Sequence, residues 1–241
     1  GAGLAWHTVT FVYGLAGAAA AATVFVLLRN TVLAKAVRHT SSAIGPAPTG
    51  QQATRWGILD RSGFLALLAV VFLDSMVQAG ALTFAAFLML AKGEPLYIAT
   101  FAATAILIGG IFGKAICGFM ADKFGPRTAF AVVQALTALL LVAAVFSPSL
   151  VTYLLLPFLG VVLQGSTSIT YSMVNDFVHP DRVARGFALI YGGSGFASVA
   201  GPLSFGLIGD AYGVPTAMLA MAAISLAAII PCWRLRVRAT A

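Results

Sequence analysis

The chain has 241 residues, 60% of them hydrophobic and only 9% charged, and its mean hydropathy is +0.98. Soluble domains carry about 25% charged and about 45–50% apolar residues, and a water-soluble core of this size cannot hide so much apolar surface. The net charge of +7 does not point to nucleic acid, because all but one of the 14 Lys and Arg fall outside the apolar runs, between or after them, rather than along one face.

Seven apolar stretches reach the length of about 20 residues that a spanning helix needs. They cover residues 6–28, 63–91, 96–120, 128–146, 150–173, 186–208 and 215–233. The expectation is an all-α integral membrane protein with about seven transmembrane helices. A longer polar run, residues 31–62, carries Gly45, Pro46, Pro48 and Gly50 and reads as a linker. It separates residues 1–30, a single helix, from a six-helix unit over residues 63–241.

Charge placement sets the expected orientation. Arg29, Lys35, Arg38, Arg55, Arg61, Lys123, Arg127, Arg182, Arg185, Arg234, Arg236 and Arg238 fall on one side, and Lys92 alone falls on the other. The positive-inside rule puts the linker and the C-terminus in the cytoplasm and the N-terminus outside. With no initiator Met, an odd helix number and an outside N-terminus, the chain reads as a fragment whose earlier helices are missing. A seven-helix receptor or retinal protein is the competing reading, but the last span has no lysine for a Schiff base.

In the second span Asp74 stands roughly thirteen residues past Arg61, about 19 Å along a helix at 1.5 Å per residue. In the third, Lys114 precedes Asp122 by about two turns, about 12 Å in from the helix end. Charges inside a span cost about 2.5–3.5 kcal/mol on insertion scales, so they face a cavity or a partner. Asp74 and Lys114 are therefore expected to form an intramembrane pair, with Asp74 able to take up and release a proton. In the fifth span Gln164, Ser168, Tyr171 and Asn175 recur at three- and four-residue intervals and share one helix face. With Gln78, one turn past Asp74, they are candidates for lining a cavity.

Small residues recur at four-residue spacing in Ala105, Gly109, Gly113 and Cys117, and again in Gly193, Ala197 and Gly201. Such stripes let helices approach closely. Pro157 and Pro202 interrupt the hydrogen-bond ladders of their helices. Cys117 and Cys232 read as small buried hydrophobes. An intramembrane enzyme finds little support, since His7, His39 and His179 lie at span ends or links and no His-Glu-x-x-His helix is present.

The third span ends in Gly118-Phe119-Met120-Ala121-Asp122-Lys123-Phe124-Gly125-Pro126-Arg127-Thr128. This run resembles the signature loop of the major facilitator superfamily, departing from it only at Thr128, where a basic residue is common. Gly125 suits a tight turn, Gly118 a close helix approach, and Asp122 is placed to bond backbone donors of the next helix or a neighbouring Arg. With Lys123 and Arg127 these residues would form a gating joint. The resemblance implies that residues 1–30 are the last helix of a missing N-terminal half, that 31–62 join the halves, and that 63–241 form the C-terminal six-helix bundle. Gly193 to Gly206, with Gly201-Pro202 at its centre, is loosely similar to the antiporter motif of that superfamily. A narrower resemblance to the fosmidomycin-resistance-like branch rests on Leu73-Asp74-Ser75, Leu82-Thr83-Phe84, Ala91-Lys92-Gly93 and Gly113-Lys114. Together these imply a multi-pass transporter of a small solute in a bacterial inner membrane. Its partners would be the lipid bilayer, the substrate and the other half of the same protein, with no cofactor.

Overall fold

The computed structural model describes residues 58–233 and Leu235, together with five helical residues of the first apolar stretch, Leu15, Ala18, Ala19, Ala22 and Thr23. The rest of the expected span at 6–28, the linker up to residue 57, and Arg234, Arg236 and Arg238 lie outside the described residues. The chain divides into two compact units, Gly1–Gln52 and Ala53–Ala241.

The regular structure of the second unit's described residues is helical, apart from one bridge between Ile58 and Val178. Its helices are α1 (Arg61–Ala91), α2 (Leu96–Ala99), α3 (Phe101–Phe124), α4 (Pro126–Phe146), α5 (Ser149–Ser172), α6 (Val174–Phe177), α7 (Val183–Tyr212), α8 (Val214–Ala227) and α9 (Ile229–Trp233). A 3-10 turn at Pro180–Arg182 leads into α7. Five segments are long and apolar enough to cross a membrane: Arg61–Ala91, Leu96–Phe124, Pro126–Phe146, Ser149–Phe177 and Val214–Trp233. The sixth, α7, has 30 residues, about 45 Å at 1.5 Å per residue. It is long enough to cross but is diluted by glycine and serine. Each expected span from residue 63 onward corresponds to one of these six segments.

Local chemistry sets the helix ends. Asp60 caps α1, accepting from the Ser62 backbone N–H at 3.0 Å and from its hydroxyl at 2.7 Å. Gly125 and Gly213 form one-residue turns before α4 and α8, with φ/ψ of 81°/148° and 87°/157°. That region of backbone space is essentially open to glycine alone.

Two pairs of helices run parallel in tight register. Along α3 and α5 the contacts advance together: a Cβ on Gly109 would come within 1.8 Å of the Pro157 carbonyl oxygen, one on Gly113 within 2.3 Å of that of Val161, and one on Gly165 within 2.2 Å of Cys117 Sγ. Along α1 and α7 a Cβ on Gly193 would meet Leu68 at 2.7 Å, and one on Gly201 the Met76 carbonyl oxygen at 2.5 Å. Gly80 faces Phe205 and Gly209 faces Phe84 in the same progression. α4 packs on α5 as α8 packs on α1, and α4 and α8 touch each other. Exchanging the first three long helices for the last three maps each of these contacts onto another. Since α1 and α5 run in opposite directions, the bundle is an inverted repeat.

Candidate functional site

Most of the bundle interior is aliphatic, yet Asp74, Ser75, Gln134, Thr137, Thr152, Ser166, Thr170 and Ser225 are buried within it. Among the described residues Asp74 is the one buried carboxylate, at 4% exposure. It lies mid-way along α1, where the helix is enclosed by its neighbours. Gln134 Nε2 of α4 donates to Asp74 Oδ1 at 2.5 Å, and Ser166 Oγ of α5 donates to Oδ2 at 2.8 Å. Ser225 of α8 donates in turn to Gln134, at its side-chain oxygen and at its backbone oxygen, the latter at 3.1 Å. One carboxyl group thus ties four helices together through side chains alone. Burying such groups costs little only when each finds partners, and here each does.

Ser166 carries a further feature. Its oxygen is 2.8 Å from Asp74 Oδ2 and 2.9 Å from the Leu163 carbonyl oxygen. A hydroxyl has one hydrogen to donate and two lone pairs to accept with. Facing a carboxylate, it donates to Asp74. Facing a protonated carboxyl, it accepts from Asp74 and donates to Leu163. Both charge states leave every partner satisfied.

The expected pair of Asp74 with Lys114 is not formed. The carboxyl is taken by Gln134 and Ser166, while Lys114 is exposed on α3. The physical reason is rotation about the helix axis: similar depth in the membrane brings two residues level but does not turn them toward each other. The other expected site residues scatter. Gln78 is half-buried and its Nε2 donates to Leu163 O at 2.8 Å and to Gln164 Oε1 at 2.9 Å, so the two amides meet between α1 and α5. Ser168 is half-buried on the same face as Gln164. Tyr171 packs its ring against Tyr191 and Phe187 of α7, with centroids 5.2 and 6.1 Å apart. Asn175 leaves this stripe, because α5 ends at Ser172 and the chain turns at Met173 before the short α6, where Asn175 is exposed.

In the signature loop Gly125 makes the turn and Lys123 stands over the Phe124 ring at 5.4 Å. Asp122 is exposed and does not cap α4, whose first turn begins with Pro126 and so offers one N–H fewer. It forms no ion pair with Arg127, whose Nε is buried without a partner. A Cβ on Gly118 would meet nothing within 4 Å.

A second copy of this turn sits at the opposite end of the bundle. Gly206, Asp210 and Gly213 repeat the spacing of Gly118, Asp122 and Gly125, and the turn glycines share one conformation. Gly206, like Gly118, has open space around it. The spacing is legible in the sequence, but this copy lacks the basic residues that make the first conspicuous.

Apolar helices of spanning length, paired by an inverted repeat around a buried acid, define a polytopic membrane protein of the transporter class. The family model of the Major Facilitator Superfamily matches residues 95–241, more than half of the chain. The chain belongs to that superfamily, whose members are membrane transporters rather than enzymes. No curated protein matches it.

Proposed function

We propose that this chain is the C-terminal portion of a proton-coupled secondary transporter that moves a small solute by alternating access, and that Asp74 carries the coupling proton. The observation that carries the reading is the wiring of Asp74: a carboxyl group buried at mid-span, whose hydrogen bonds to Ser166 can be completed with or without a proton. An acid that serves only to glue helices needs one charge state, whereas a carrier of protons needs two. Because Gln134, Ser166 and Ser225 belong to α4, α5 and α8, gaining or losing that proton rebalances contacts among helices that must shift together. In this reading residues 1–30 close a preceding half and 31–62 join the halves. The excess of Lys and Arg puts the Asp122–Arg127 turn on the cytoplasmic side of a cell membrane. Asp122, Lys123 and Arg127, exposed or unpaired within this bundle, then serve as contacts to the other half.

The test uses the full-length protein in proteoliposomes with an imposed pH gradient and a panel of small anionic, neutral and cationic solutes. Uptake of at least one solute should follow the gradient. Asp74→Asn should abolish gradient-driven accumulation while leaving exchange of solute across the membrane. Accumulation that stays unchanged in a normally assembled Asp74→Asn protein would refute the assignment.

A further inference from the structure

With Asp74 satisfied by neutral partners, Lys114 becomes the unexplained charge of the bundle. The described Lys and Arg other than Lys114 lie at or beyond helix ends: Arg61, Lys92, Lys123, Arg127, Arg182 and Arg185. Lys114 is inside α3, exposed, in a segment otherwise apolar enough to span a membrane. Its direction follows from its neighbours. A Cβ on Gly110 would lie 2.5 Å from Cγ of Gln164, so α3 and α5 touch there by way of the amide side chain. Lys114 follows Gly110 by one turn and shares its face, and Ser168 follows Gln164 by one turn. Because the two helices run parallel, Lys114 comes alongside Ser168, on the flank where Gln164 meets Gln78. Helix register therefore puts Lys114, which is exposed, on the flank of α3 nearest Gln164, Gln78 and Ser168.

We propose that Lys114 is the substrate-binding cation of this half, and that the solute carried is a small organic anion bearing a carboxylate. An ammonium is a point charge with three donors and no acceptor, so its complement is an anion. Gln164 and Ser168 add donors that orient a carboxylate without adding charge. With one cation inside a spanning segment among the described residues, a monoanionic group fits better than a phosphate dianion. The exposure of Lys114 is then the exposure of a binding wall. This inference rests on the transporter reading, and the experiment separates the two.

The full-length protein is purified in detergent, and its thermal shift is measured with acetate, lactate, pyruvate, succinate, inorganic phosphate, glucose and glycine at concentrations above the usual KM range. At least one carboxylate should stabilise the wild type, with glucose inert. Lys114→Gln should weaken that carboxylate by about tenfold to a hundredfold, the usual worth of one hydrogen bond to a charged group. Lys114→Arg should restore most of the loss, and both variants should keep the wild-type melting temperature without ligand. Stabilisation by neutral solutes or phosphate alone, no stabilisation by any carboxylate, or carboxylate binding unaltered in Lys114→Gln would each overturn the proposal. Flux in proteoliposomes then decides the underlying reading. Carboxylate binding that depends on Lys114 without flux leaves the site and removes transport, whereas flux of a neutral solute indifferent to Lys114→Gln leaves transport and removes the site.

Discussion

Gln134 Nε2 lies 2.5 Å from Asp74 Oδ1, and the same amide accepts from Ser225 through its oxygen. The glutamine is therefore the joint of a chain that runs from α8 through α4 to α1. Replacing it with Leu of similar volume leaves Asp74 Oδ1 without its donor, while Ser225 keeps only the backbone oxygen of residue 134. Each unsatisfied group costs about 1–3 kcal/mol, so Gln134→Leu should lower stability by more than Ser225→Ala does. Because the two residues act on each other, their effects should fall short of additive in the double variant. Melting of the purified protein in detergent for the two single variants and the double variant checks this. Additive losses would mean that the chain is not a connected unit.

A second expectation contrasts two glycines of α3. A methyl group on Gly109 would come 1.8 Å from the backbone oxygen of Pro157, whereas one on Gly118 would meet nothing within 4 Å. Backbone cannot swing aside as a side chain can, so Gly109→Ala must push α3 away from α5. Overpacking of this kind costs about 1–3 kcal/mol, and this contact belongs at the upper end. Gly118→Ala should leave the melting temperature of the bundle unchanged. If Gly118→Ala nonetheless abolishes transport in the full-length protein, that glycine is packing against something outside this bundle.

What the sequence makes legible here is set by how local each signal is. Spans, turn glycines and the stripe of Gly109 and Gly113 are written within a few residues of themselves, and from residue 63 onward the helices fall where the spans are expected. Asp74 stands out because a lone carboxylate in an apolar run is conspicuous by its cost. Its partners are not legible: Gln134, Ser166 and Ser225 lie on three other helices, and a serine inside a span is too common to single out. Lys114 misleads for a related reason, since rise along a helix can be counted from the sequence while the facing of two helices is decided only when they pack. Gly160 and Gly165, which complete the fit of α5 to α3, escape the pattern because they are five residues apart rather than four.

The paired turns lead to a third expectation. Gly125 and Gly213 hold backbone angles that residues with a Cβ adopt at a cost of about 1–3 kcal/mol. Gly125→Ala and Gly213→Ala should therefore destabilise the bundle by similar amounts, although one turn carries the signature residues and the other does not. Around both positions there is no clash to confuse the result, since nothing lies within 4 Å of a Cβ at Gly125 and only the Pro215 ring, at 3.7 Å, at Gly213. Unequal losses in matched melting curves would show that the two turns are not mechanically equivalent.

Lys92 supplies a last expectation at the same end of the bundle as Gly213. Its ammonium donates to the Val145 carbonyl oxygen at 3.1 Å and to that of Ser147, closing the C-terminal end of α4. The last carbonyls of a helix lack intrahelical donors and carry the negative end of its dipole, so a cation there is worth about 0.3–1 kcal/mol, and up to about 2 when partly buried. Lys92→Met keeps the apolar stem and removes only the ammonium. It should lower stability by an amount in that range, and Lys92→Arg should recover part of it. Raising the salt concentration tests the origin: the half-buried cap should lose little, while an exposed ion pair would be screened away. A Lys92→Met protein that melts like the wild type would show that water closes this helix end as well as the lysine does.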